Sequence, residues 1–153
     1  MERPERVPHG QRITEVMPVL NYGKVQRIDP EKWRFKITGR VNRKIELTLD
    51  EFMSLPRSRV TSDIYCVTGW SKLDDVWESV LTDEIRKLRG KRPHTRSVMV
   101  HSVGGFTANL GVEDFFQPNA IFALRHNGEK LTPEHGYPVR LVVPRPYFWK
   151  SAK

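Results

Sequence analysis

The chain has 153 residues, 38% hydrophobic and 29% charged, with a formal net charge of +8. That length predicts one domain with a buried core, and short apolar runs argue against disorder. One cysteine excludes an internal disulfide framework and a multi-cysteine zinc site, and no run approaches the ~20 apolar residues of a membrane-spanning helix.

The N-terminus, Met-Glu-Arg-Pro-Glu-Arg, has neither the apolar core of a secretory signal nor a twin-arginine pair. With the lone cysteine, this gives the expectation of a soluble, cytoplasmic protein. Residues 1–30, rich in proline and charge, read as an extended arm packed on a domain spanning 31–153. The arm's one apolar patch is Pro18 to Gly23.

Trp33, Phe35 and Ile37 alternate with polar residues and predict a strand; Thr38-Gly39 turns it, and Ile45 and Leu47 supply a short partner. Thr48 and Glu51 have capping-box spacing, opening a short helix through Leu55 that Pro56 stops. Val60 to Val67 is the central strand, leading to Cys66, with Gly69 breaking the run. Asp74-Asp75 reads as a loop, Trp77 to Leu81 as extended, and Thr82 as the cap of a helix to about Arg89, closed by Gly90.

Ser97 to Ser102 is a predicted strand, Gly104-Gly105 a turn and Phe106 to Leu110 extended. A short helix follows from Val112 to Phe116. Ala120 to Leu124 is a strand, and Asn127-Gly128 signals a type I′ hairpin. Val139 to Val143, an apolar run between prolines, reads as a buried strand. Many short strands with a few short helices predict an α+β domain.

The net charge calls for an anionic partner, either a nucleic-acid backbone or an anionic small ligand. Cations within apolar or Gly/Pro-rich segments (Arg140, Arg145, Lys150, Lys153) are better ligand candidates than the run from Lys87 to Arg96, which reads as a solvated helix end. Arg140 stands out, because a cation inside an apolar strand requires an anion, and arginine grips carboxylate or phosphate bidentately. The adjacent pairs Asp74-Asp75 and Glu113-Asp114 read as surface carboxylates, since neighbours point apart. His9, His94, His101, His126 and His135 show no zinc spacing; His9, His94 and His126 read as exposed. Gly104-Gly105 and His135-Gly136 match no nucleotide loop but can expose N–H groups to a phosphate.

Two motifs then carry a resemblance: Cys66-Val67-Thr68-Gly69-Trp70-Ser71, and the segment from Asn127 through Pro133-Glu134-His135-Gly136-Tyr137-Pro138-Val139-Arg140 to Lys150-Ser151-Ala152-Lys153. With them the chain resembles, from Pro18 to Lys153, the molybdopterin-binding oxidoreductase family, the fold shared by sulfite oxidases and the periplasmic methionine-sulfoxide reductase catalytic subunit. The resemblance implies mixed short-stranded sheets with a few short helices and a molybdenum–molybdopterin cofactor. It makes Cys66 the catalytic residue and the one protein thiolate on the metal, a soft ligand suited to it. It also implies cofactor contacts at Asn21, Tyr22, Gly23, His101, Ser102, His135, Arg140, Ser151 and Lys153. Trp70 and Tyr137 are either pocket walls or core aromatics.

The implied reaction is two-electron oxygen-atom transfer on a small sulfite- or sulfoxide-like substrate. No second redox centre is visible in the sequence, so electrons pass to a partner, a haem protein or a quinone-linked one. The sequence departs from the animal sulfite oxidases in having Thr-Gly-Trp-Ser after the cysteine rather than an arginine-bearing continuation. It also stops at Lys153 where the family continues, so a final strand is expected to be missing, leaving a sheet edge prone to pairing with another chain. The rival reading is a single-stranded nucleic-acid-binding module stacking bases on Trp33, Phe35, Phe106 and Tyr147.

Overall fold

The computed structural model describes residues 7–15, 27–39, 44–65, 69–89, 96–103 and 105–143. A mixed six-stranded sheet is built around two strands, β4 (Ser58–Tyr65) and β5 (Trp70–Leu81), that pair antiparallel along most of their length. The opposite edge of β5 is shared. The two-residue β1 (Arg12–Ile13) runs parallel to its start, at Trp70 and Ser71, and β8 (Ile121–His126) runs antiparallel to its end. β10 (Arg140–Val142) continues the sheet beyond β8, and β9 (Glu129–Lys130) hairpins back on β8. In the turn between β8 and β9, Asn127 and Gly128 have φ of 48° and 84°, the two positive values that a type I′ turn needs.

Two antiparallel hairpins stand apart from this sheet: β2 (Arg34–Ile37) with β3 (Ile45–Thr48), and β6 (Ser97–His101) with β7 (Thr107–Gly111). Three short helices link the strands: α1 (Leu49–Met53), α2 (Thr82–Arg89) and α3 (Val112–Phe115). The expected capping box opens α1. Thr48 Oγ1 accepts from the Glu51 N–H (3.2 Å), and Glu51 Oε1 accepts from the Thr48 N–H (3.1 Å). Thr48→Ala is expected to cost about 1 kcal/mol in urea denaturation; an unchanged midpoint would show that packing, not the cap, starts this helix.

The sheet buries both faces. On one side Val60, Ile64, Trp77, Ala123 and Val142 form a cluster with Trp70 and Leu131. On the other, Val80, Phe122, Leu141 and Val143 meet Phe52, Ile85, Leu110 and Phe115 from the helices and hairpins. Successive strand residues face opposite ways, so Leu141 and Val143 join one cluster and Val142 the other. A strand buried on both faces reads as a near-continuous apolar run, as Leu141–Val143 does after the one exception, Arg140. Phe52, fully buried, sits among Phe35 (4.9 Å between ring centroids), Trp33 (5.6 Å) and Phe122 (5.9 Å).

Two expectations need correcting here. Asp74-Asp75 lies not in a loop but inside β5, where Leu73 and Asp74 oppose the single residue Asp63 as a bulge. Asp74 has φ of 59° and its N–H donates to Asp63 Oδ1 (3.0 Å). An aspartate that tolerates positive φ carries the same signal in a bulge as in a turn. Asp75 is therefore no surface carboxylate; it is completely buried.

The second correction is His126, expected to be exposed. β8 has an extra residue, Leu124, between the pairs Glu78–Arg125 and Ser79–Ala123. That bulge turns His126 onto the face of Trp77, where the two rings stack at 4.4 Å. His126 Nε2 lies 2.6 Å from Asp75 Oδ1, and Lys72 Nζ pairs with the same oxygen. Trp77 Nε1 donates to Ser62 Oγ at 3.1 Å. This ionic group of Lys72, Asp75 and His126 holds both bulges in register.

Candidate cofactor site

The β4–β5 hairpin delivers the cysteine loop. Tyr65 pairs with Ser71, so residues 66–70 make the connection. β1 pins the returning stem: the Arg12 N–H donates to the Gly69 carbonyl and the Thr14 N–H to the Ser71 carbonyl, both at 2.8 Å. Ser71 Oγ donates to Gln11 Oε1 at 3.0 Å. Gly69 has φ of 100°, a left-handed conformation that glycine adopts without strain. Cys66 itself lies outside the described residues, as do Val67 and Thr68. Asn21, Tyr22, Gly23, Ser151 and Lys153 also lie outside them, with Tyr147, Arg145 and Lys150.

His135 and Arg140 are brought together. A single 3-10 turn, Pro133–His135, ends at Gly136 (φ 99°), and the chain then re-enters the sheet as β10. Arg140 is 4% exposed. Its Nη1 donates to the His135 carbonyl (3.3 Å) and its Nε to the Leu141 carbonyl (3.4 Å). These two acceptors are neutral, and burial pushes the guanidinium down from its ordinary value to about 9.

His101 and Ser102 form a second pair at the end of β6. The Ser102 N–H closes the hairpin onto the Phe106 carbonyl (2.9 Å), and the Gly105 N–H donates to the Ser102 carbonyl (3.3 Å). Ser102 Oγ is buried without a hydrogen-bond partner. Both residues border a cavity of about 1100 Å³, which Val139 and Leu141 also line. Arg140 alternates with those two, so it lies toward the opposite face of β10 from the cavity. Trp70 and Tyr137 pack on the Trp77 side of the sheet and do not line the cavity.

The donor set fits a phosphorylated pterin. A buried guanidinium matches a phosphate, and a buried hydroxyl lacking a partner matches a polar ring edge. Among the described residues no group of three or more His, Cys, Asp or Glu is placed to hold a metal.

Sequence reasoning missed the group of Lys72, Asp75 and His126. The available signal was strand parity: Asp75 lies two residues from Trp77 and so shares its buried face. Nucleic-acid stacking also loses its footing, because Trp33 and Phe35 pack on Phe52 inside the domain.

No helix among the described residues is long and apolar enough to cross a membrane. The family described as an oxidoreductase molybdopterin binding domain matches residues 22–153. The chain is 42% identical over 149 residues to the uncharacterized oxidoreductase YuiH of Bacillus subtilis, covering 97% of this chain and 75% of that protein. It is 26% identical over 148 residues to the protein-methionine-sulfoxide reductase catalytic subunit MsrP of Gluconobacter oxydans, covering 84% of this chain and 46% of that protein. A solved structure, the sulfane dehydrogenase SoxCD of Paracoccus pantotrophus, superposes with a TM-score of 0.74 over 84% of this chain and 38% of that one, at 20% identity. That likeness speaks to the fold, which is sulfite-oxidase-like with mixed sheets and few short helices. The chain thus spans three quarters of one relative and about half of another, and none of these matches supports a nucleic-acid module. The chain belongs to the molybdopterin-binding oxidoreductase family, an enzyme domain whose cofactor is molybdopterin.

Proposed function

We propose that the chain carries out two-electron oxygen-atom transfer on a small sulfite- or sulfoxide-like substrate, with Cys66 as the thiolate that ligates molybdenum. The observation that carries this reading is the buried Arg140, whose guanidinium donates to the His135 carbonyl and so ties the two predicted contacts together. In this reading Arg140 binds the cofactor phosphate, and His135 orients it. The Ser102 hydroxyl, with His101 beside it, satisfies a polar edge of the pterin. A ligand touching both pairs passes around β10, the end strand of the sheet. Asn21, Tyr22, Gly23, Ser151 and Lys153 complete the shell. Residues 1–30 act as an arm on the domain of 31–153, and the pairing of Arg12 and Ile13 with β5 supports that division.

Bound there, the cofactor supplies two-electron redox chemistry coupled to movement of an oxygen atom. The chain's own part is to bind, orient and shield it. The balance is simple: a sulfoxide takes up two electrons and two protons to give a sulfide and water, while sulfite with water gives sulfate and releases both. Either direction requires a separate redox protein, haem-bearing or quinone-linked, as partner. A cytoplasmic site of action fits the lone cysteine, and cell fractionation tests it.

Protein purified from a cofactor-competent host is assayed with methionine sulfoxide and a reduced viologen dye, and with sulfite and ferricyanide. Turnover in one assay, abolished by Cys66→Ser with unchanged circular dichroism, is the expected outcome. Loaded protein inert in both assays would overturn the substrate assignment.

A further inference from the structure

The cavity beside His101 and Ser102 has a lining pattern that a cofactor does not explain. Every residue from Trp33 to Gly39 borders it, and every residue from Arg96 to Val103. A strand turning a face to a cavity contributes alternate residues; one contributing consecutive residues is turning its edge. No residue of β3 or β7 borders the cavity, so β2 and β6 are the cavity-side members of their hairpins. Each pairs with its hairpin partner alone among the described strands.

On β6 the open groups are assignable. The Val112 N–H donates to the Arg96 carbonyl (3.0 Å) and the Ser102 N–H to the Phe106 carbonyl (2.9 Å). The even-numbered residues are thus the ones bonded to β7. Antiparallel alternation then sends the N–H and C=O groups of Ser97, Met99 and His101 to the open edge. Phe122 and Leu141 contribute apolar lining from the central sheet. The charged lining residues are Arg34, Lys36 and Arg96; Arg34 Nε lies 3.9 Å from Glu46 of β3, which leaves Lys36 and Arg96 as the lining cations without an ion pair among the described residues.

We propose that this slot receives an extended strand of a partner protein, one in which apolar residues alternate with Asp or Glu. Main-chain bonds to the two open edges hold it, and alternate side chains select it. Its apolar side covers Phe35, Ile37, Val98 and Val100; its acidic side meets Lys36, beside the Arg34–Glu46 pair. A second copy of this chain is the poorer occupant, since pairing β2 with itself sets Arg34 and Lys36 against like charges. Because His101 and Ser102 also serve as pterin contacts in the proposed function, the slot is tested on the cofactor-free chain, which keeps its test separate from the redox assays.

The probe is a fluorescein-labelled peptide of alternating valine and glutamate, titrated against the full chain, with a valine–lysine peptide as control. The glutamate peptide is expected to bind saturably, the lysine peptide not at all, and Lys36→Glu to weaken binding about tenfold or more. Amide exchange at Ser97, Met99 and His101 is expected to slow on binding. Met99→Pro removes an outward N–H without touching a β6–β7 bond, so a folded Met99→Pro chain is expected to lose binding. Equal binding of the two peptides, or no protection at those amides, overturns the proposal. Protection by self-association alone, or binding of anilinonaphthalenesulfonate without the peptide, also overturns it. If Met99→Pro fails to fold, the exchange of the unsubstituted chain decides.

Discussion

Asp75→Ala is expected to destabilise the chain by about 3–5 kcal/mol, the cost of breaking a buried ion pair from one side. Asp75 is completely buried, and the Lys72 side chain is only 9% exposed. Removing the carboxylate strands the ammonium away from water and leaves His126 Nε2 without its acceptor. It also releases the two bulges that the cluster holds in register, one of which lies a few residues from the Cys66 loop. Urea denaturation of the two proteins side by side measures the difference. The companion variant replaces the whole group at once, with Lys72→Met, Asp75→Leu and His126→Phe. It is expected to lose far less, because an apolar set of similar volume leaves no uncompensated charge. A cost under about 1 kcal/mol for Asp75→Ala would mean that the cluster is solvated in solution.

Arg140→Met is expected to raise the stability of the cofactor-free chain while removing its hold on the cofactor. Burial lowers the folded-state value of this guanidinium to about 9. Between about 9 and the ordinary 12.5 the folded chain binds fewer protons than the unfolded one, so this group makes stability rise with pH across that window. Below about 9 the charge is present in both states and its burial costs stability. Methionine removes that cost, less what the His135 and Leu141 carbonyls lose with their donor. A net gain is the expected result, read as a higher melting temperature of the cofactor-free variant. Metal and pterin content of the same variant is expected to fall to background. A cofactor-free Arg140→Met chain that melts below the parent would show that the guanidinium is structural and would remove the main support for a phosphate at this position.

Local signals carried most of the strands. The alternation of Trp33, Phe35 and Ile37 became β2, the Thr48–Glu51 spacing became a capped helix, and Asn127-Gly128 became a hairpin with both φ values positive. What stayed hidden was long-range. Only the pairing of β4 with β5 shows that Asp74 sits in a bulge, and only the extra residue at Leu124 brings His126 over Trp77. The bulge itself is not encoded in a window of neighbouring residues, although the burial of Asp75 follows from its parity with Trp77 once both are placed in one strand. The proximity of His135 and Arg140 was legible because one short segment contains both. How that segment stands to Ser102 was not legible, because these pairs lie toward opposite faces of β10. The two strand edges left open among the described strands were equally hidden, since a hairpin pattern does not say which of its sides is left open.

The central claim is that a single thiolate, Cys66, ligates a molybdenum held by a phosphorylated pterin. X-ray absorption at the molybdenum edge, on protein purified from a cofactor-competent host, tests it most directly. The account predicts one thiolate sulfur at bonding distance beyond the dithiolene pair, and its loss in Cys66→Ser at unchanged pterin content. A sulfur shell identical in the two proteins, or a parent chain that carries neither molybdenum nor pterin, would contradict it.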